Sequence, residues 1–212
     1  MHMFITSTTI RRAALALALS ACASLASAAA TFHIELDTAG FGNKGWIDLQ
    51  FNPAPLDPVA AWADLSGFIG FGDSATAQAT GVTGSLASGF HMSTAGGASD
   101  LFHEVSFSGG KVGFNVTIGG NAGASQAGSA FSVALINAAE DGVLGATGPD
   151  GYSLLHLDWT PSATAGGSGS LVASGFDSAS VHVSAVPEPA TWAMLGAGLA
   201  LVGLARRRKL QA

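Results

Sequence analysis

The chain has 212 residues, 29 of them glycine and one cysteine, and a formal charge of −6 with only 10% of its residues charged. One cysteine cannot close an intrachain disulfide, so stability has to come from a packed core. An acidic chain is also repelled by nucleic acid, which excludes that class of partner.

At the N-terminus, Arg11 and Arg12 precede an uncharged Ala/Leu run from Ala13 to about Leu25, followed by Ala26-Ser27-Ala28-Ala29-Ala30. A basic region, an apolar region and an Ala-x-Ala site in that order make a secretory signal peptide, residues 1–28, cleaved between Ala28 and Ala29 within about two residues; Ala26 and Ala28 are the recognised small residues. Leu19-Ser20-Ala21-Cys22 also matches a lipobox, which would make Cys22 a lipidated N-terminus; the apolar run continues past it to Ala26 and Ala28, which favours ordinary cleavage.

Residues 29–185 are then the exported domain, long enough for one buried core. Six of the eight basic residues lie in the two ends, so this domain keeps Lys44 and Lys111 against thirteen carboxylates, a formal charge of −11. Such a domain is soluble and repels anionic lipid. It holds 26 of the glycines, far above the usual ~7% share, which disfavours long helices.

Strand-period alternation runs through it. Phe32, Ile34 and Leu36 alternate with His33, Glu35 and Asp37, and Ile47, Leu49 and Phe51 alternate with Asp48 and Gln50, each predicting a strand with one wet face. Pro58 to Ser66 reads as a short helical turn or an irregular edge, and Ala75 to Ser93 as Gly/Ser/Thr-rich strand. Leu101 to Phe107 and Val112 to Ile118 flank Ser108-Gly109-Gly110-Lys111, which predicts a hairpin closed by a primed turn. Further strands are predicted at Phe131 to Asn137, Ser153 to Thr160, Leu171 to Phe176 and Ser180 to Ala185, with a surface loop at Pro161 to Ser170. Short strands with glycine turns and no βαβ spacing predict an all-β sandwich or jelly roll.

The tail has three parts. Val186-Pro187-Glu188-Pro189 is followed by sixteen uncharged residues, 190–205, and then by Arg206, Arg207, Arg208 and Lys209. As a helix the apolar run would span ~24 Å, short of a ~30 Å hydrocarbon core, but Trp192 stands at an interfacial position and the basic cluster supplies a cytoplasmic stop. The expectation is a single transmembrane helix with the β-domain outside the inner membrane.

This tripartite tail, residues 186–212, resembles the PEP-CTERM sorting signal of Gram-negative bacteria. The resemblance implies processing by exosortase, a membrane-embedded cysteine transpeptidase, with Pro187, Glu188 and Pro189 as the recognised residues, and an association with exopolysaccharide and biofilm export. Phe32 to Thr38 and Gly45 to Pro53 are similar to one group of PEP-CTERM proteins with no assigned activity.

Chemistry-bearing motifs are sparse. His33, His91, His103, His156 and His182 form no His-x-His or His-x-x-x-His pair, which gives no metal motif. Asn137, Glu140, Asp141 and Asp150 bracket a loop where oxygen ligands would gather around calcium, although the spacing matches no EF-hand. Gly-x-Ser-x-Gly, His-Glu-x-x-His and phosphate-binding glycine loops are absent from the exported domain. No enzyme and no cofactor is expected. The leading reading is a structural or adhesive protein sorted to the envelope or an extracellular polysaccharide matrix. The alternatives are a carbohydrate- or calcium-binding module, with Trp46, Trp62 or Trp159 as an aromatic platform, and then a hydrolase with converging carboxylates.

Overall fold

The computed structural model describes residues 29–73, 77–167, 169–177 and 179–186, together with Gly196 and Gly198. Residues 29–186 form one compact unit. Its first two strands are β1 (Ala30–Asp37) and β2 (Lys44–Pro53), where the alternation predicts them. They are followed by β3 (Ala61–Ile69), β4 (Gln78–Thr80), β5 (Val82–Ser85) and β6 (Gly89–Ser93). Next come β7 (Ser99–Ser106), β8 (Lys111–Gly120), β9 (Ser129–Asn137) and the short β10 (Val143–Leu144). The last three are β11 (Leu155–Thr160), β12 (Ser170–Gly175) and β13 (Val181–Ala185).

All pairings are antiparallel, in two sheets. The first has the order β13-β1-β8-β3-β6-β5; the second has β12-β11-β9-β2-β7-β4, with β10 beside β9. One face of each sheet feeds a common core. Ile34, Leu36, Phe114, Val116 and Ile118 come from the first, and Ile47, Leu49, Phe51, Phe131 and Leu135 from the second, all at most 1% exposed. Rings meet across the sheets, Phe114 with Phe131 at 6.2 Å and Phe90 with His103 at 6.4 Å. The all-β reading therefore stands, as two antiparallel sheets face to face.

The expected Leu101–Ile118 hairpin is corrected by the pairing. β7 pairs with β2 and β4, whereas β8 pairs with β1 and β3, so the turn between them crosses from one sheet to the other. Phe107 is 2% exposed, pointing into the core rather than capping a hairpin, and its N–H donates to Asn43 O. Gly110, with φ of +70°, turns the chain so that its carbonyl accepts from Thr38 N–H. The loop from β1 to β2 makes the reverse crossing alongside, and Phe41 packs edge-on against Phe107. Both strands of the supposed hairpin do bury the predicted faces; alternation reports the face that is buried and is silent about the partner strand.

Pro58 to Ser66 is also corrected. Ala61, Ala63 and Leu65 of β3 are buried, and β3 lies between β8 and β6 rather than at an edge. Small residues at Ala61 and Ala63 weaken the apolar pattern while still fitting a central strand.

Both chain ends of the domain meet at one corner. Phe32 of β1 is the register partner of Ala185 of β13, and Val186 N–H donates to Thr31 O at 2.9 Å. The loops 54–60, 121–128 and 161–169 join strand ends at this same pole, since Ala61 pairs with Gly120, Pro53 with Ser129, and Thr160 with Ser170.

Candidate functional site

Two regions carry the chemistry: the tail that leaves this corner, and the outer face of the second sheet. On that face β2 presents Trp46, Asp48, Gln50 and Asn52, and β7 presents Asp100, Phe102 and Glu104 in register beside them. Asp48 was expected on a wet face, yet it is 4% exposed. The chain's one tyrosine covers it. Tyr152 Oη donates to Asp48 Oδ2 at 2.5 Å, and Gln50 Nε2 donates to the same oxygen at 2.8 Å. Asp48 Oδ1 has no hydrogen-bond partner among the described residues.

The electrostatics follow from that burial. Desolvation, then the neighbouring Asp48 carboxylate, pushes Tyr152 well above the usual phenol range, so its hydroxyl stays a donor. Desolvation also raises the Asp100 carboxyl, with the Asp48 charge adding to it. Trp46 stacks flat on Phe102, with centroids 4.8 Å apart and planes at 6°. Phe102, Ile136, Val143 and Tyr152 floor a cleft of about 300 Å³ with Glu140 and Asp141 at its lip.

Tyr152→Phe should cost about 1.5–3 kcal/mol, because a buried carboxylate loses a donor and water has little access to replace it. Chemical denaturation of the two proteins reads this directly. An unchanged midpoint would show that the phenol merely rests on the sheet.

The four residues of the candidate calcium loop separate into two groups. Asn137 Nδ2 donates to Asp141 Oδ1 and Asp141 N–H donates back to Asn137 Oδ1, closing the β9–β10 turn. Glu140 sits in that turn with φ of +62°. Asp150 instead accepts from Tyr152 and Ser153 N–H at 3.0 Å each and lies 3.3 Å from His156 Nε2. Among the described residues no three His, Cys, Asp or Glu side chains group as a metal site.

Burial works to raise the Asp150 carboxyl, but the bonds from Ser153 and Tyr152 together with His156 outweigh it and hold it at about 2. For Asp177, the bond from Ala146 N–H leads a set that also lowers it. A lowered folded value means stability present above the unfolded value of about 3.8 and lost as pH falls toward 2. Asp100 has the opposite sign, its contribution fading as pH rises. Asp150→Asn should accordingly flatten the acid limb of a stability profile between pH 4 and 2. An acid limb as steep as that of the parent would overturn this assignment.

The histidines have separate settings. His33 Nδ1 lies 2.8 Å from Asn115 Oδ1, His91 Nδ1 lies 2.6 Å from Asp64, and His103 is fully buried with its Nδ1 2.8 Å from Glu104 O. His182 of β13 is exposed, opposite Glu35. Of the tryptophans, Trp159 is 3% exposed and belongs to the core, while Trp46 and Trp62 are half-buried.

Val186, the first residue of the tail, still bonds to the sheet through Thr31 O. Residues 185–209 match the family model of the PEP-CTERM protein-sorting motif. The chain carries a PEP-CTERM sorting motif. This motif implies processing by exosortase, a membrane protein, and a membrane-anchored precursor handled at the cell envelope. No curated protein and no solved structure matches the chain.

The remaining sequence expectations fall outside the described residues: the signal-peptide positions Cys22, Ala26 and Ala28, the motif residues Pro187, Glu188 and Pro189, the apolar run 190–205 apart from Gly196 and Gly198, and the basic cluster Arg206, Arg207, Arg208 and Lys209. Among the described residues no helix is long and apolar enough to cross a membrane. The Asp48–Tyr152 pair was missed in the sequence because its members are 104 positions apart. The one available signal was an aspartate flanked by Ile47 and Leu49 in a strongly apolar strand.

Proposed function

We propose that this chain is an exported precursor held in the inner membrane by a C-terminal helix, with its β-domain in the periplasm. Exosortase acting at Pro187-Glu188-Pro189 passes it to the envelope or to an extracellular polysaccharide matrix, where it serves as a structural or adhesive surface protein and not as an enzyme. The PEP-CTERM match at residues 185–209 carries this reading. Convergence of Thr31 and Val186 at one corner supports it, because the sequence before the domain and the sequence after it then lead away from the same place.

Expression with and without exosortase, followed by mass spectrometry of the tail, tests the proposal. Loss of residues after the motif only when the enzyme is present is the expected result. A full-length inner-membrane product in its presence would remove the sorting role while leaving the anchor.

A second reading, a carbohydrate-binding module, draws on the outer face of the second sheet. Trp46 is half-buried there, stacked on Phe102, with Gln50 and Asn52 roughly 13 and 20 Å further along the same strand face at ~3.3 Å per residue, an aromatic ring and amide groups spread over one surface as an extended glycan would need. Retardation in polysaccharide-containing native gels that Trp46→Ala abolishes would favour it. For calcium, no three His, Cys, Asp or Glu side chains group among the described residues, and Asp150 is held apart from Asn137 and Asp141 by its bonds to Tyr152 and Ser153 N–H. A hydrolase, the third reading, would need two carboxylates converging in one open cleft; of the neighbouring pair Asp48 and Asp100, Asp48 is covered by Tyr152.

A further inference from the structure

We infer that the pole carrying both chain ends is the surface this domain presents to the lipid headgroups of the bilayer that holds its tail. The inference rests on the membrane-anchored reading of residues 187–209 and adds an orientation and a contact surface to it.

Reach comes first. Val186 is fixed by its bond to Thr31 O, and the uncharged run starts at Ala190. Four residues extend at most about 14 Å, at up to ~3.6 Å each. The interfacial layer on each side of the hydrocarbon core is roughly 5–8 Å deep, so the corner at Val186 stands within the headgroup zone or at most about 9 Å outside it.

Charge comes second. The loops at this pole, 54–60, 94–98, 121–128 and 161–169, contain one formal charge between them, Asp57. The opposite pole holds Glu140, Asp141, Asp150 and Asp177 in its loops. Both lysines lie there as well, each engaged by a glutamate, Lys44 with Glu104 at 3.3 Å and Lys111 with Glu35 at 2.7 Å. A domain of charge −11 is repelled by anionic lipid least where its charges are sparsest, and that place is the pole from which the tail departs, where Asp57 in the loops and Asp158, which shares a hollow with Ala54 and Pro55, are the acids.

Shape comes third. Leu56 projects from the 54–60 loop four-fifths exposed, between Pro55 and Pro58. The loop is tied down rather than loose: Ser125 Oγ donates to Asp57 O at 2.9 Å and Val59 N–H donates to Ala127 O at 2.9 Å. Asp57 takes φ of +46°, a left-handed turn conformation that aspartate tolerates better than most residues with a side chain. An apolar side chain held outward at the membrane-side pole, with Val186 also exposed there, suits the apolar–polar boundary of a bilayer.

The test uses the signal-cleaved precursor purified from inner membranes of cells lacking exosortase, a product with no native cysteine if cleavage follows Ala28. Single probes enter through Leu56→Cys, Ala124→Cys and, at the far pole, Ser108→Cys, each labelled with bimane and reconstituted into vesicles of three parts zwitterionic to one part anionic phospholipid with a headgroup quencher. Quenching at positions 56 and 124 should exceed that at 108 several-fold. Vesicle flotation with equal quenching at all three, or with more at 108, would overturn the orientation alone. Failure to float would overturn the anchored reading and this inference with it.

Discussion

Phe131→Ala is expected to lower the unfolding free energy by about 3–5 kcal/mol, enough to leave the domain close to unfolded at ambient temperature. Phe131 is fully buried on β9 and meets Phe51 of its own sheet at 6.4 Å and Phe114 of the opposite sheet at 6.2 Å, so its removal opens a void at the seam between the two layers. No disulfide compensates, because the one cysteine precedes the domain. Phe131→Leu keeps much of the volume and should cost under about 1.5 kcal/mol. Urea melts of the three proteins check both numbers. A loss below about 1 kcal/mol for the alanine variant would mean that the sheets close over the gap and that the cross-sheet ring contact contributes little.

The same core shows what the sequence made legible. Ile34 and Leu36, then Ile47, Leu49 and Phe51, read correctly as buried faces because each strand has one apolar side and period two leaves no ambiguity about which. Their partners were not legible. β7 and β8 look like a hairpin since Gly109-Gly110 suits a tight turn, but the burial of Phe107 and its bond to Asn43 are long-range facts that no local pattern carries. β3 escaped because Ala61 and Ala63, fully adequate beside β8, contribute almost no hydrophobic signal. At the candidate site, the sorting motif was readable because its signal is linear: motif, apolar run and basic stop lie in order. The cluster under Tyr152 is assembled from β2, β7 and a distant loop, and a lone tyrosine gives no spacing from which to predict it.

Glu188→Gln is expected to reduce exosortase-dependent loss of the tail at least thirtyfold, with full-length protein accumulating in the inner membrane. Pro187 and Pro189 offer no backbone N–H and restrict the chain around them to extended conformations, which leaves the Glu188 carboxylate as the one charged group the motif can present. Removing one partner of a desolvated charge pair costs roughly 2–5 kcal/mol, and the lower end of that range corresponds to about thirtyfold. Glutamine preserves the length and one acceptor oxygen while removing the charge, so the loss measures charge rather than length. The β-domain should melt as before, since position 188 lies beyond Val186, the last of the described residues of the domain bonded to the sheet. Pulse-labelled cells followed by mass spectrometry of the C-terminus give the rate. Processing of the glutamine variant at the parental rate would show that the enzyme recognises the extended diproline backbone and not the acid. The specificity of the tail would then rest on Pro187 and Pro189.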